Sequence, residues 1–431
     1  MGPTAWAREG RRGVGCGPEV DVDVVIVGGG AAGLSLAHAL TLPGARREPA
    51  VAVVETPRQA LRPGDRTWCF WQDGPAEHPE AEAASWARLR VRDRDGGVVD
   101  GELRALRYRM LRSDAFEASV RSRLAGLPGV RLVAATAEAV HDTPGGAVAV
   151  CTGADGRRIA VRGRHLFDSR PLPALPPART LLLQHFRGWF VRTARPAFDP
   201  DTVELMDFRV PQPARGLAFG YVLPLGPAEA LVEYTEFSRA PLARDAYTAA
   251  LEHYTRDVLR LGPFEVRAEE SGVIPMTDAR YPRRAGARVH LIGAAGGATR
   301  PSTGYTFSAV QRQTRAVAAA LRDGRTPRLP APHRRRALAM DAVVLRALDA
   351  GRIDGPRFFT DLFRRVPAER VLRFLDGTTA LWEDLLVGCA TPVAPMLRTV
   401  AELPFLPRRH APAAPRETRP DEPDDDPAAG H

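Results

Sequence analysis

Asp23-Val24-Val25-Ile26-Val27-Gly28-Gly29-Gly30-Ala31-Ala32-Gly33 decides the fold. Its apolar run is continuous rather than alternating, as in a strand buried on both faces. It opens directly into Gly-x-Gly-x-x-Gly, and Leu34, Leu36, Ala37 and Leu40 follow as the apolar side of a helix. Gly28 permits the tight turn, Gly30 lets a pyrophosphate approach the backbone, and Gly33 allows close packing of helix on strand. The free N–H groups of the helix start, from Ala31 onward, offer themselves to phosphates. A second apolar run, residues 51–54, ends at Glu55, which stands 22 residues beyond Gly33. That is the position of an acid that accepts from a ribose hydroxyl. The plainer alternative is a structural glycine turn in an α/β domain.

Composition narrows the rest. A chain of 431 residues with 44% hydrophobic residues is long enough for two or three domains with real cores. The formal charge of +9 invites a nucleic-acid reading, but all 60 basic residues are Arg, and no Lys or Asn occurs. Such a gap points to GC-biased coding. No basic stripe interleaved with aromatics is present either, so nucleic acid is not an expected partner. The absence of Lys excludes Schiff-base chemistry and a P-loop lysine; the absence of Asn excludes N-glycosylation. Cys16, Cys69, Cys151 and Cys389 are scattered without a Cys-x-x-Cys pair, which suggests neither a metal site nor a disulfide framework and fits a reducing cytosol. The N-terminus through Val20 lacks a continuous apolar h-region and no run of about 18 apolar residues occurs, so neither a secretory signal nor a spanning helix is expected.

Along the chain, residues 1–20 read as a loose leader and the first fold element begins near Val22. Asp65-Arg66-Thr67-Trp68-Cys69-Phe70-Trp71 packs three aromatics behind an Asp-Arg pair, as either core or the wall of an apolar cavity. Ser113-Asp114 is a helix N-cap candidate, with Phe116, Val120 and Leu124 at helical spacing and Gly126 as the stop. Residues 130–134 read as a strand, residues 147–151 and 158–161 as a hairpin across Asp155-Gly156, and residues 165–168 as a short strand ending in Asp168. Residues 181–190, 203–208, 219–223 and 231–237 then form an antiparallel sheet, interrupted by a helix near 244–261, and residues 264–274 return toward the core. Residues 289–292 run into Gly293-Ala294-Ala295-Gly296-Gly297, a second strand-to-glycine turn, before a helix near 304–321 that contains Gly304 at its start. Two separated glycine turns favour FAD over NAD. Residues 333–400 are mostly helical. There Phe358, Phe359, Leu362 and Phe363 form an apolar face beside Arg357, Arg364 and Arg365, either a cap on the core or a membrane-surface face. Beyond Pro407 the composition is that of a disordered tail.

Taken in order, these motifs resemble the lycopene β-cyclases of the bacterial flavin-dependent type, from about Val22 to about Leu403. The matching stretches are the Gly28–Gly33 cradle with Glu55, residues 65–71, Gln184-His185-Phe186-x-Gly188-Trp189, Met206-Asp207-Phe208-Arg209 and Phe219-x-Tyr221-x-Leu223-Pro224. They continue with Glu233-x-Thr235-x-Phe237-Ser238, Gly272-x-Ile274-Pro275-Met276 and Pro301-Ser302-Thr303-Gly304-Tyr305. FAD-dependent hydroxylases commonly carry Gly-Asp where this chain has Gly293-Ala294, and the cyclases are similar to this chain in lacking that acid.

The resemblance implies an α/β protein: an FAD-binding, Rossmann-like doubly wound domain with an inserted antiparallel-sheet substrate domain and a C-terminal helical region. The expected division is a leader at 1–20, FAD domain at 21–175 and 281–330, substrate sheet at 176–280, helical cap at 331–406 and tail at 407–431. It implies a redox-neutral cyclisation of lycopene ends to β-rings, to γ-carotene and β-carotene, with reduced FAD retained and NAD(P)H needed only to keep it reduced. It also implies an enzyme on the cytoplasmic side, peripherally bound to the membrane that holds its carotene. Residues 231, 233 and 235 share one strand face and Glu236 points to the other, so only one of the two acids can face a given cavity; the resemblance implies that Glu233 is the acid. The expected cofactor contacts are Gly28, Gly30, Ala31, Gly33, Glu55, Gly293 and Gly304. The rival readings are an FAD-dependent monooxygenase or isoprenoid reductase that consumes NAD(P)H, and a non-catalytic dinucleotide-fold protein that carries an isoprenoid.

Overall fold

The computed structural model describes residues 19–44, 48–62 and 64–410. Strand β1 (Glu19–Val27) runs through the glycine turn into α1 (Ala31–Leu40), and β2 (Val51–Glu55) lies beside β1. The chain then makes five short strands: β3 (Thr67–Asp73), β4 (Glu82–Trp86), β5 (Arg88–Arg92), β6 (Val98–Glu102) and β7 (Leu106–Arg112). Helix α2 (Ser113–Ala125) returns it to the first layer, where β8 (Val130–Thr143), β9 (Gly146–Gly153) and β10 (Arg158–Asp168) follow.

In that layer β8, β2, β1, β10 and β16 (Val289–Leu291) are parallel neighbours in this order. This is the doubly wound arrangement, with β9 spliced antiparallel between the far half of β8 and the near half of β10. Residues 24–27 are at most 1% exposed, which is why the run is apolar without alternation. Leu34, Leu36 and Leu40 of α1 pack with Val310 and Val317 of α4 (Phe307–Arg322) over one face of the sheet.

The second layer is a sheet ordered β15-β11-β14-β13-β12-β5-β6, with β11 (Leu181–Thr193), β12 (Thr202–Asp207), β13 (Leu217–Gly226), β14 (Glu229–Ser238) and β15 (Phe264–Thr277). One face is covered by α3 (Arg244–His253) through Tyr247 and Leu251, with Tyr254 just beyond it. Four further helices are α5 (Arg335–Asp349), α6 (Gly355–Arg365), α7 (Ala368–Leu375) and α8 (Leu381–Cys389), and side chains from all four join the core on the other face. Helix α9 (Val393–Glu402) closes the set. The small sheet β3-β7-β4 sits at the junction of the layers. A buried ion pair, Arg300 Nε to Asp341 Oδ2 at 2.7 Å, ties the loop before α4 to α5, and the Ser302 hydroxyl donates to the same carboxylate at 2.7 Å.

Several expectations change. The first strand starts at Glu19, because Glu19 and Val20 pair with Ala160 and Val161; the remainder of the leader lies outside the described residues. Ser113 does not cap α2. It is already helical, with Arg112 in the cap position, and its hydroxyl instead accepts the Arg66 N–H at 2.7 Å. Residues 88–102, assigned to the FAD domain from sequence, belong to the large sheet, since β5 pairs in parallel with β12. Residues 264–274 form an outer strand of that sheet rather than a return to the core. Phe358, Phe359, Leu362 and Phe363 are 3–8% exposed and form core, so they offer no membrane face. Residues 407–410 are not a tail: Arg409 bridges Ala178, and Arg408 pairs with Asp278 at 3.3 Å. Residues 411–431 lie outside the described residues.

Candidate active site

Parallel register places both glycine turns at one edge of the first sheet, because Val27 lies opposite Asp168 and Asp168 opposite Leu291. Gly28 has φ +100°, and a Cβ there would come 2.3 Å from Ser169 Oγ. A Cβ on Gly33 would stand 1.9 Å from the Gly28 carbonyl oxygen, so only glycine lets α1 lie this close to the turn. Gly30 differs: a Cβ there would meet nothing within 4 Å. Its side of the turn is open, Gly30 is the N-cap of α1, and no side chain caps the N–H groups that begin at Ala31. Gly293, at φ +64°, approaches so closely that its Cβ would be 2.7 Å from that of Ala32, which brings the second turn against the first. Gly304, at φ +74°, faces Gln184 on β11 and joins this edge to the second sheet.

Glu55 ends β2 beside Gly29, as expected, but it is not idle. It accepts from Arg121 Nη2 at 2.6 and 2.8 Å and pairs with Arg62 at 2.7 Å. Arg121 also donates to the Gly29 carbonyl at 2.9 Å, so it clamps turn and acid together. A carboxylate has about four acceptor positions, which leaves room for a ribose hydroxyl. An open Gly30 backbone, uncapped N–H groups and an adjacent acid are the donor and acceptor set that a dinucleotide needs.

The second sheet presents its chemistry in one row. Glu233 of β14 lies opposite Gly188 of β11 and Tyr221 of β13, and the same Gly188 lies opposite Glu270 of β15. Directly opposed residues share a face, so Glu270, Glu233 and Tyr221 project to one side with only hydrogen at the position between the carboxylates. Glu233 is 6% exposed, and its carboxylate accepts from the Thr235 hydroxyl. Burial, reinforced by the nearby Glu270, pushes the Glu233 carboxyl up to about 8, so it carries a proton at pH 7. Glu270 is buried too, and burial raises it, but Thr67 donates to it at 2.7 Å and the Arg112 guanidinium stands 3.4 Å away; both oppose the rise.

Above this row lie hydroxyls and rings. Tyr108 OH bonds Tyr221 OH at 2.6 Å and Tyr305 OH at 2.7 Å. Trp71 meets the Tyr305 ring at 4.7 Å between centroids. Burial raises all three phenols and pushes the Cys69 thiol up to about 12, so each keeps its proton. Strand β3 settles the two readings of its aromatic burst by alternation. Thr67, Cys69 and Trp71 turn to the carboxylate side, whereas Trp68 and Phe70 turn away to pack on Phe116 and Phe307. Glu236 lies on the opposite sheet face, accepting from Tyr234 OH at 3.1 Å beside His185, which burial holds neutral at about 4.

Glu270, Arg112, Tyr108 and the clamp Arg121 were not singled out from sequence. Glu265, Glu269 and Glu270 sit on one strand, and only the register with β11 tells which of them faces inward. Period-two alternation in residues 67–71 was a usable signal for the split of β3.

The comparisons with known proteins agree with this architecture. The chain resembles solved structures of a flavoprotein/dehydrogenase from Cytophaga hutchinsonii (TM-score 0.59, 13% identity, 88% of this chain and 99% of that one). It also resembles p-nitrophenol 4-monooxygenase from Pseudomonas putida DLL-E4 (0.56, 15%, 92% and 100%). A third is a geranylgeranyl bacteriochlorophyll reductase-like protein from Thermoplasma acidophilum (0.54, 14%, 90% and 97%). At such identities the likeness is one of fold, the α/β flavoprotein fold with a substrate sheet and C-terminal helices. No curated protein matches the sequence. The family model described as lycopene cyclase protein matches residues 23–401, nearly the whole span of the two layers and their helices, and the chain belongs to that family.

Proposed function

We propose that the protein cyclises the linear ends of lycopene to β-rings, giving γ-carotene and then β-carotene, with reduced FAD held throughout and NAD(P)H used only to restore it. The observation that carries this reading is Glu233, a buried carboxyl that burial pushes up to about 8, on the sheet face it shares with Tyr221 and Glu270. Donation of its proton to C2 of the terminal double bond leaves a tertiary cation at C1. The C5=C6 double bond attacks that cation, and loss of the C6 proton completes the ring. The bonds balance without an oxidant or reductant.

The chain's residues divide this work. Glu233 supplies the proton, Thr235 orients its carboxyl, and burial excludes the water that would quench a cation. Trp71, Tyr108 and Tyr305 offer ring faces whose negative quadrupoles favour positive charge. Gly28, Gly30, Ala31, Gly33 and Glu55 would hold the adenine half of FAD, and Gly293 and Gly304 the other half, in a division with 21–175 and 281–330 as the FAD domain, 176–280 together with 88–102 as the substrate sheet and 331–406 as the helical cap. When bound, the reduced flavin supplies negative charge that can meet the cation electrostatically.

The same reading puts the protein at a membrane surface, on the cytoplasmic side, because its substrate is a hydrocarbon of the bilayer. Among the described residues no helix is long and apolar enough to cross a membrane. The supporting surface is on α8 and α9, not α6. Leu381, Trp382, Leu385, Leu397 and Val400 are 50–63% exposed. The acids of these helices turn inward: Glu383 pairs with Arg373, Asp384 with Arg336, and Glu402 with Arg346 and Arg352.

Reduced, anaerobic protein supplied with lycopene in liposomes and no nicotinamide should form β-rings repeatedly. NAD(P)H loss in proportion to product, or a need for oxygen, would replace this reading with that of a monooxygenase or reductase. No conversion at all would leave an isoprenoid carrier.

A further inference from the structure

Resting on the cyclase reading, we infer that Glu270 is the base that removes the C6 proton, and so the residue that fixes the ring as β. Glu233 and Glu270 stand on either side of Gly188 and point the same way. Two strand spacings separate their backbones by about 10 Å, and the carboxyls are near enough for the charge of Glu270 to raise Glu233. With no side chain of its own, Gly188 leaves room for Leu231 and the stem of Glu233 to lean over it. A Cβ there would come 2.8 Å from Leu231 Cδ1 and 3.4 Å from Glu233 Cβ.

The two carboxyls are dressed for opposite tasks. Among the described residues Glu233 has one hydroxyl donor, Thr235, and no ion-pair partner, which suits a group that carries and gives a proton. Glu270 has the Thr67 hydroxyl at 2.7 Å and Arg112 at 3.4 Å, which favour its anion and suit a group that takes one. The neighbouring Cys69 thiol and Tyr108, Tyr221 and Tyr305 phenols do not suit the second task, because burial keeps each of them protonated.

The chemistry gives this assignment a visible consequence. Once the C1–C6 bond has formed, the charge sits at C5, and a proton can leave from C6, from C4 or from the methyl on C5. These losses give the β-ring, the ε-ring with its double bond at C4, and the γ-ring with an exocyclic double bond. The cation is acidic enough to yield any of the three, so the position of the base decides the product. In the proposed step the Glu233 proton goes to C2, the C5=C6 pair becomes the C1–C6 bond, the C6–H pair becomes the new C5=C6 bond, and the proton passes to Glu270. The enzyme is reset when Glu270 releases a proton and Glu233 regains one.

The test uses the full chain with reduced FAD and lycopene in liposomes, with products separated by ring type across a pH series. The parent must first make β-rings; if it does not, the cyclase reading itself fails. Glu270→Gln keeps the shape and the Thr67 hydrogen bond but cannot accept the proton. It should lose ~10²–10⁴-fold in β-ring formation, with residual product shifted toward ε- or γ-rings. Glu270→Asp sets the carboxylate back by about 1.5 Å, should fold even where the Gln variant does not, and should give slower, mixed products. Pure β-rings at a rate within a few-fold of the parent, from either variant, overturn the assignment. So does recovery of Glu270→Gln at lower pH, since that would mean Glu270 acts only by keeping the Glu233 proton in place. A loss that no pH restores supports it.

Discussion

Replacing Glu233 with Gln should abolish ring formation and, in the same protein, stabilise the fold at neutral pH. The buried carboxyl is pushed from its ordinary 4.5 up to about 8. Between those limits the folded protein keeps a proton that the unfolded chain has released, so the unfolded state binds fewer protons and stability falls as pH rises. Each pH unit in the window costs about 1.4 kcal/mol. The penalty therefore reaches roughly 3 kcal/mol at pH 7 and levels near 5 kcal/mol above pH 8. Gln has no proton to lose and pays none of it. Urea unfolding of parent and variant at pH 5, 6, 7 and 8 should give a stability difference that widens by about 1.4 kcal/mol per unit up to pH 8. Any packing change caused by the amide is independent of pH and drops out of that slope. A difference that stays flat from pH 5 to 8 refutes the idea that Glu233 is a buried, neutral acid.

Glu236→Gln, on the far face of the sheet, should keep activity within a few-fold of the parent, whereas Glu233→Asp should lose on the order of 10²-fold; the reverse ranking in a lycopene conversion assay would reassign the acid. Gly33→Ala should strip the protein of flavin, read as absorbance released on denaturation, because its Cβ would stand 1.9 Å from a backbone oxygen; full flavin content would contradict the cradle. Changing Trp382, Leu385 and Leu397 together to Ser should abolish co-sedimentation with anionic vesicles while leaving the unfolding midpoint near that of the parent, and unchanged sedimentation would remove α8 and α9 as the contact. Asp341→Asn leaves Arg300 buried without its counter-charge and should lose about 3–5 kcal/mol in urea unfolding; a loss below about 1 kcal/mol would show that the pair is not buried as described.

What was legible in the sequence was local. The turn from β1 into α1 is written in residues 23–33, because glycine spacing, strand and helix all fall within one short window. That Glu233 and Glu236 lie on opposite faces followed from a period of two along a single strand; which of them is the acid came from the family pattern. What failed depended on partners remote in sequence. The inward face of β15 is set by its register with β11, so Glu270 could not be told from Glu269. The α6 stripe of Phe358, Phe359, Leu362 and Phe363 has the same periodicity whether it meets core or lipid, and the sheet beneath it decides. Conversely, residues 381–400 read only as helical, and it is the packing of α8 and α9 that shows Leu381, Leu385 and Leu397 exposed.

The hairpin of β5 and β6 carries a consequence for synthesis of the chain. Its partner β12 begins at Thr202, 110 residues after Arg92. At about 5–20 residues per second, the ribosome delivers that partner roughly 5–20 s after the hairpin. During the wait Leu89 and Val91, each 1% exposed in the finished protein, have no sheet to cover them. Alternating arginines, Arg88, Arg90 and Arg92, flank both residues and keep the orphan hairpin charged, which discourages it from pairing with another nascent chain.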